Sequence, residues 1–334
     1  MTATGAVRTV VAGALTCAMA VGAATAARVH RPLRAMCVRS EQAALGGRSG
    51  DALLELCTAQ RIELLLAAAP EPKGDAQQRW RSFLSRAHER GIRVHALAGE
   101  AQWGLVQESA APGDRPEGPM LAAGRSLALR HIGSIIAYNR SVASGERFDG
   151  VHHDIPIWHT EEYASAKDSP RRATILANYV EQLWGCAHFL RTLGRVAIET
   201  DGPAGEFGTS IAAGLDEATT WGKPGQYKEA TLPASQQVIR TADYTVVMIA
   251  ADTSDAIVGA ARQYVQFAGE VSRQVFVGVS TAPVGDAGAS ATFGDASRGS
   301  MEQVLAEVFA RLRAEPGFGG IVIDSYSTYA AMKP

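Results

Sequence analysis

The chain has little of what several protein classes require. Lys and Arg number 32 against 34 Asp and Glu in 334 residues, a formal net charge of -2. There is no basic excess of the kind that neutralises a phosphate backbone, so nucleic acid is not an expected partner. Cysteine is scarce, at four residues, and no Cys-x-x-Cys or Cys/His zinc spacing occurs, which argues against a structural zinc site. Internal repeats and low-complexity tracts are missing too, so neither argues for a second domain. What remains is ordinary for a globular protein: 46% hydrophobic and 20% charged residues, in a chain long enough for one large domain.

The one apolar stretch of note is N-terminal. Arg8 supplies a positive charge, residues 10–24 are apolar and small, and Ala24-Thr25-Ala26 offers a small-x-small cleavage site. The order predicts a signal peptide over residues 1–27, cut near Ala26 or Ala27, and a mature domain over 28–334. The expected location is secreted or periplasmic, with membrane contact only through this segment; an uncleaved anchor is the alternative. Cys17 falls inside the segment. Cys37, Cys57 and Cys186 remain, enough for one bridge, and are read first as small buried hydrophobes.

Along the mature chain, short apolar runs alternate with longer helical patterns, the mark of β-α units around a parallel sheet. Strands are predicted at 34–40, 62–68, 92–98, 150–155, 196–200, 245–250, 275–279 and 320–324. Helices are predicted at 50–60, 75–90, 120–144, 170–193, 254–272 and 300–313, with a shorter one over 232–241. Eight strands with intervening helices predict an α/β fold, a single (β/α)8 TIM barrel. An open doubly wound sheet is the alternative, but no Gly-rich phosphate loop follows the first strand. Two polar, Gly-rich stretches, 202–226 and 283–299, follow the fifth and seventh predicted strands and would border the catalytic face of a barrel, or else be surface insertions.

In a barrel the strand C-termini converge, so residues distant in sequence share one cavity. Those ends carry Glu100 and Trp103, Asp154 and Trp158, Glu199 and Asp201, Asp252 and Asp255, Asp324 and Tyr326. Carboxyl groups for acid and base work, together with aromatic faces that stack on sugar rings, are what glycoside hydrolysis needs. On the fourth strand, alternation puts His152 and Asp154 on one face and His153 on the other.

That fourth strand also carries a resemblance. Phe148-Asp149-Gly150-Val151-His152-His153-Asp154-Ile155 resembles the strand-4 motif of chitinase-like glycoside hydrolase barrels, in which Asp-Gly leads into Asp-x-Asp-x-Glu. It is closer to bacterial secreted barrels that read Phe-Asp-Gly-(Ile/Val)-His-x-Asp-(Ile/Val)-Glu-Pro. Shorter echoes lie at Ile92-Arg93-Val94-His95, Ala197-Ile198-Glu199-Thr200-Asp201, Val277-Gly278-Val279-Ser280-Thr281 and Gly320-Ile321-Val322-Ile323. The departures are specific: Pro156 stands where the family has its general acid, His152 replaces the middle Asp, and Ser280 takes a Glu position.

The expected function is thus a glycoside hydrolase-like protein acting on a polysaccharide or cell-envelope glycan. Asp154 and Glu199 form the expected carboxyl pair, Glu199 as proton donor and Asp154 as base, nucleophile or electrostatic stabiliser. His152, Trp103, Trp158, Asp201, Asp252 and Tyr326 are the expected substrate contacts, with no cofactor and no resident metal. A second reading is a non-catalytic glycan-binding or scaffold barrel, because the motif acid is lost. A third is a metal-dependent hydrolase drawing ligands from His95, His152, His153, His159, Asp154 and Glu199, although neighbouring His152 and His153 face opposite ways.

Overall fold

The structure is a computed structural model; it describes residues 31–39, 47–69, 71–105, 123–167, 170–197, 205–216, 218–219, 232–284 and 291–334. Eight parallel strands close into a barrel: β1 (Leu33–Val38), β2 (Ile62–Ala68), β3 (Arg93–Ala98), β4 (Gly150–His153), β5 (Glu206–Ala212), β6 (Tyr244–Met248), β7 (Gln274–Ser280) and β8 (Phe318–Asp324). The hydrogen-bonded order runs β1-β2-β3-β4-β5-β6-β7-β8 and back to β1. The expected single (β/α)8 barrel is therefore the observed fold.

Helices α1 (Gly47–Ala59), α2 (Asp75–Glu89), α3 (Ala123–Arg140), α4 (Glu161–Ser165), α5 (Pro170–Ala197), α6 (Ala234–Thr241), α7 (Ser254–Glu270), α8 (Arg298–Leu312) and α9 (Tyr326–Ala331) are described outside it. Their apolar stripes cover the outer strand face, as in α2, where Trp80, Phe83, Leu84 and Ala87 are buried. Trp80 meets Phe148 at a ring separation of 4.7 Å, just ahead of β4. Each large apolar side chain buried in this way contributes roughly 1.5–3 kcal/mol.

The interior is a smaller, separate core made of alternate strand residues: Leu33, Ala35 and Cys37 from β1, Leu64 and Leu66 from β2, Leu97, Tyr244, Val246, Phe276 and Val322. Cys37 and Cys57 are free thiols, and all three cysteines in the described residues are buried. Burial, first of all, raises the pKa of Cys57 to about 12, so its thiol behaves as a small hydrophobe.

One predicted element is corrected. Of the predicted strand over 196–200, the described residues 196–197 are helix: α5 continues through Gly194 to Ala197, and the fifth strand is Glu206–Ala212. Its sequence, Glu-Phe-Gly-Thr-Ser-Ile-Ala, sits inside the stretch read as a polar loop. The reason is local. Gly208 faces inward where any Cβ would overlap the Tyr244 ring, and Ser210 faces inward to meet His152, so the inner positions of β5 are small or polar. Phe207 and Ile211 keep the outer face apolar.

The predicted signal segment, Glu199 and Asp201 lie outside the described residues. No described helix is long and apolar enough to cross a membrane.

Candidate functional site

The C-terminal mouth is built from the residues that follow the inward positions of β1, β4 and β8. On β1, inward alternation through Leu33, Ala35 and Cys37 leads to Arg39. On β4 it leads through Gly150 and His152 to Asp154, whose N–H donates to the Ala98 carbonyl at 2.9 Å and so prolongs the ladder with β3. That approach needs Gly99, which has φ 141° and whose missing Cβ would collide with the Asp154 backbone. On β8 the last residue is Asp324, and the peptide that follows it is cis.

Arg39 joins the two carboxylates. Its Nε and Nη2 donate to Oδ1 and Oδ2 of Asp324 at 2.8 and 2.7 Å, and its Nη1 lies 2.7 Å from Asp154 Oδ2. The Asp154 and Asp324 side chains are 12% and 14% exposed while Arg39 is 47% exposed, so solvent reaches the group over the guanidinium. Burial works against the charge on Arg39, but the hydrogen bond to Asp324 and the attraction of Asp154 outweigh it and hold the guanidinium protonated. One layer down, burial and then Asp324 push the Cys37 thiol well above its ordinary range, so it is no nucleophile.

Beneath the mouth the interior turns polar on one side. His152 Nε2 lies 2.9 Å from Ser210 Oγ, and its Nδ1 lies 3.0 Å from the Tyr244 hydroxyl. The same hydroxyl is 2.8 Å from His95 Nδ1, and His95 Nε2 is 3.7 Å from Glu206, which Arg93 pairs at the N-terminal rim. Burial, chiefly, lowers the His95 pKa to about 4; burial and then the Arg39 charge lower that of His152 to about 3. Both rings are neutral at physiological pH.

The sequence-predicted residues divide into those at this centre and those apart from it. His152 and Asp154 face inward on β4, Asp154 at the C-terminal rim, as expected. His153 faces outward and meets His131 Nδ1 at 3.1 Å. Trp103 is half-buried in a 3-10 turn (Ala101–Gly104) and sets its ring edge-on to His153 at 5.7 Å, packed against the outer core. Trp158, in the turn Ile157–His159, and Tyr326, at the start of α9, are also half-buried against that core. Asp252 is exposed after β6. Pro156 caps the turn that carries Trp158, and Ser280 accepts from the Ala282 N–H at 3.2 Å, so both residues serve local backbone.

For Glu199, the ground for a place at the rim was the end of a strand, and residues 196–197 are helix. In chain order it lies on the connection that enters β5. Among the described residues no three His, Cys, Asp or Glu side chains gather as metal ligands, and β4 sends His152 and His153 to opposite sides of the sheet. Arg39, Ser210 and Tyr244 were missed as site residues. The signal for Arg39 was the inward parity of β1 carried one step past the strand.

No protein-family profile matches the sequence, and no curated protein matches it. Solved structures do match in fold. A glycoside hydrolase family 18 N-acetylglucosaminidase from Paenibacillus barengoltzii aligns over 89% of this chain and 96% of its own, with TM-score 0.50 and 12% identity. A GH5-4 broad specificity endoglucanase from an uncultured bacterium aligns over 92% and 91%, with TM-score 0.50 and 10% identity. The chain thus shares its (β/α)8 fold with glycoside hydrolases.

Proposed function

We propose that the protein is exported by its N-terminal segment and is a glycoside hydrolase-like barrel that holds a polysaccharide or cell-envelope glycan at its C-terminal mouth. The observation that carries this reading is the Arg39-bridged pair Asp154 and Asp324 at the end where such barrels take their ligands. Asp154 offers its second carboxylate oxygen to sugar hydroxyls, and Arg39 offers its half-exposed face. His152 sits one layer below, held by Ser210 and Tyr244.

Donors and acceptors limit the roles these two carboxylates can take. A guanidinium only donates, so every carboxylate oxygen it touches must accept. Both oxygens of Asp324 and one of Asp154 are used in this way, which suits a stabilising or binding carboxylate and not a proton donor. Pro156 leaves the family's acid position empty. The hydrolytic reading keeps Asp154 as nucleophile or stabiliser and assigns the proton to Glu199.

A panel of soluble oligosaccharides and insoluble glycans separates the two. Saturable binding without release of reducing ends supports a binding barrel. Release of reducing ends, abolished in both Asp154→Asn and Glu199→Gln, establishes the hydrolase. Absence of both binding and turnover across the panel removes the glycan reading.

A further inference from the structure

The polar side of the barrel interior has an order that individual contacts do not state. The Tyr244 hydroxyl touches Nδ1 of both His95 and His152, at 2.8 and 3.0 Å, and carries one hydrogen. It donates to one ring and accepts from the other. A neutral imidazole has one N–H, so the choice at Tyr244 fixes both tautomers.

Two arrangements satisfy the contacts. In the first, Ser210 donates to His152 Nε2, His152 Nδ1–H donates to Tyr244, Tyr244 donates to His95 Nδ1, and His95 presents Nε2–H. In the second every bond is reversed, and His95 presents a bare lone pair. His95 is fully buried, and its Nε2 has no hydrogen-bond partner. Glu206 Oε2, which Arg93 also pairs, lies 3.7 Å from it. An N–H aimed at a carboxylate is attractive and a lone pair aimed at it is repulsive, so Glu206 selects the first arrangement.

We infer that Glu206, at the N-terminal rim, is a positioning residue that sets the tautomer of His152 through His95 and Tyr244, in one oriented chain ending at Ser210. His152 is then the Nδ1–H tautomer, the less common form of a free histidine side chain. Ser210 spends its hydrogen on the chain and is left as an acceptor. The register that pairs His153 with Thr209, continued by one residue, brings Ser210 alongside Asp154. Ser210 Oγ, buried beside Asp154, therefore offers only lone pairs to its other neighbours. The tautomer assignment stands whether or not the mouth holds a glycan.

Long-range proton–nitrogen NMR of the imidazole rings in the full chain tests the inference. At neutral pH the expected spectrum has His152 protonated at Nδ1 with Nε2 bare, and His95 protonated at Nε2. Glu206 is a half-exposed rim residue with no contact to His152, so Glu206→Ala is expected to fold and to move the His152 Nε2 resonance toward the protonated range. A wild-type His152 protonated at Nε2, or a His152 signal indifferent to Glu206→Ala, overturns it.

Discussion

The two walls of the barrel interior solve the same packing problem with different chemistry. From β7 through β2 the inner residues include Phe276, Val322, Leu33, Ala35, Cys37, Leu64 and Leu66, a wall held by apolar burial. From β3 through β6 they include His95, His152, Ser210 and Tyr244, a wall in which each ring needs its neighbour's hydrogen. The apolar wall depends on volume, and the polar wall on protonation. Arg39 and Asp324 rise from the first wall and Asp154 from the second, so the mouth is where the two are tied together.

Acid should separate the walls most strongly. His95, at about 4, and His152, at about 3, sit below the ordinary histidine value because burial opposes their charge. The unfolded chain takes up protons from about pH 6.5 and the folded chain does not, so stability present at neutral pH is lost as pH falls from 6.5 toward 4. At pH 5 this amounts to roughly 2 kcal/mol per ring. Thermal unfolding followed from pH 7 to 4.5 should show a steep drop in Tm; a flat profile means that the rings are not buried as neutral groups.

Single substitutions sharpen the contrast. Leu66→Ala, in the apolar wall, should cost about 3 kcal/mol at every pH, since it leaves a cavity. Tyr244→Phe, in the polar wall, should cost about 2 kcal/mol by leaving two imidazole nitrogens unpaired, and its cost should change as pH falls toward 5. Urea unfolding at pH 7.5 and pH 5 distinguishes them, and equal pH dependence in the two variants breaks the comparison. Arg39→Met should cost only about 1 kcal/mol, because the guanidinium is half-exposed and its pairs are screened, while weakening any ligand at the mouth.

The sequence made the barrel legible where strands are covered on both faces. Leu64-Leu65-Leu66 and Ile321-Val322-Ile323 announce themselves because inner and outer positions are both apolar. It failed at β5 because the inner positions there, Gly208 and Ser210, answer to Tyr244 and His152 across the barrel, a requirement with no local signature. The same gap hid the site: Asp154 was visible from its motif, but Arg39 and Asp324 become its partners only when the barrel closes β8 onto β1. Aromatic residues near strand ends misled for the opposite reason. Trp103 and Trp158 follow strands, yet both turns fold back onto the outer core, where burial of a large ring is worth more than exposure at the rim.

The central claim is that Asp154, in its pair with Arg39, is the point at which a glycan is held. Titration calorimetry of the wild-type protein and of Asp154→Asn, against the oligosaccharide from the panel that binds best, measures it directly. Saturable binding by the wild type is expected, with a loss of about tenfold or more in Asp154→Asn, the effect of removing one charged hydrogen-bond acceptor, and little change in Tm. Equal affinity in the two proteins, or no binding by the wild type to any member of the panel, would contradict it.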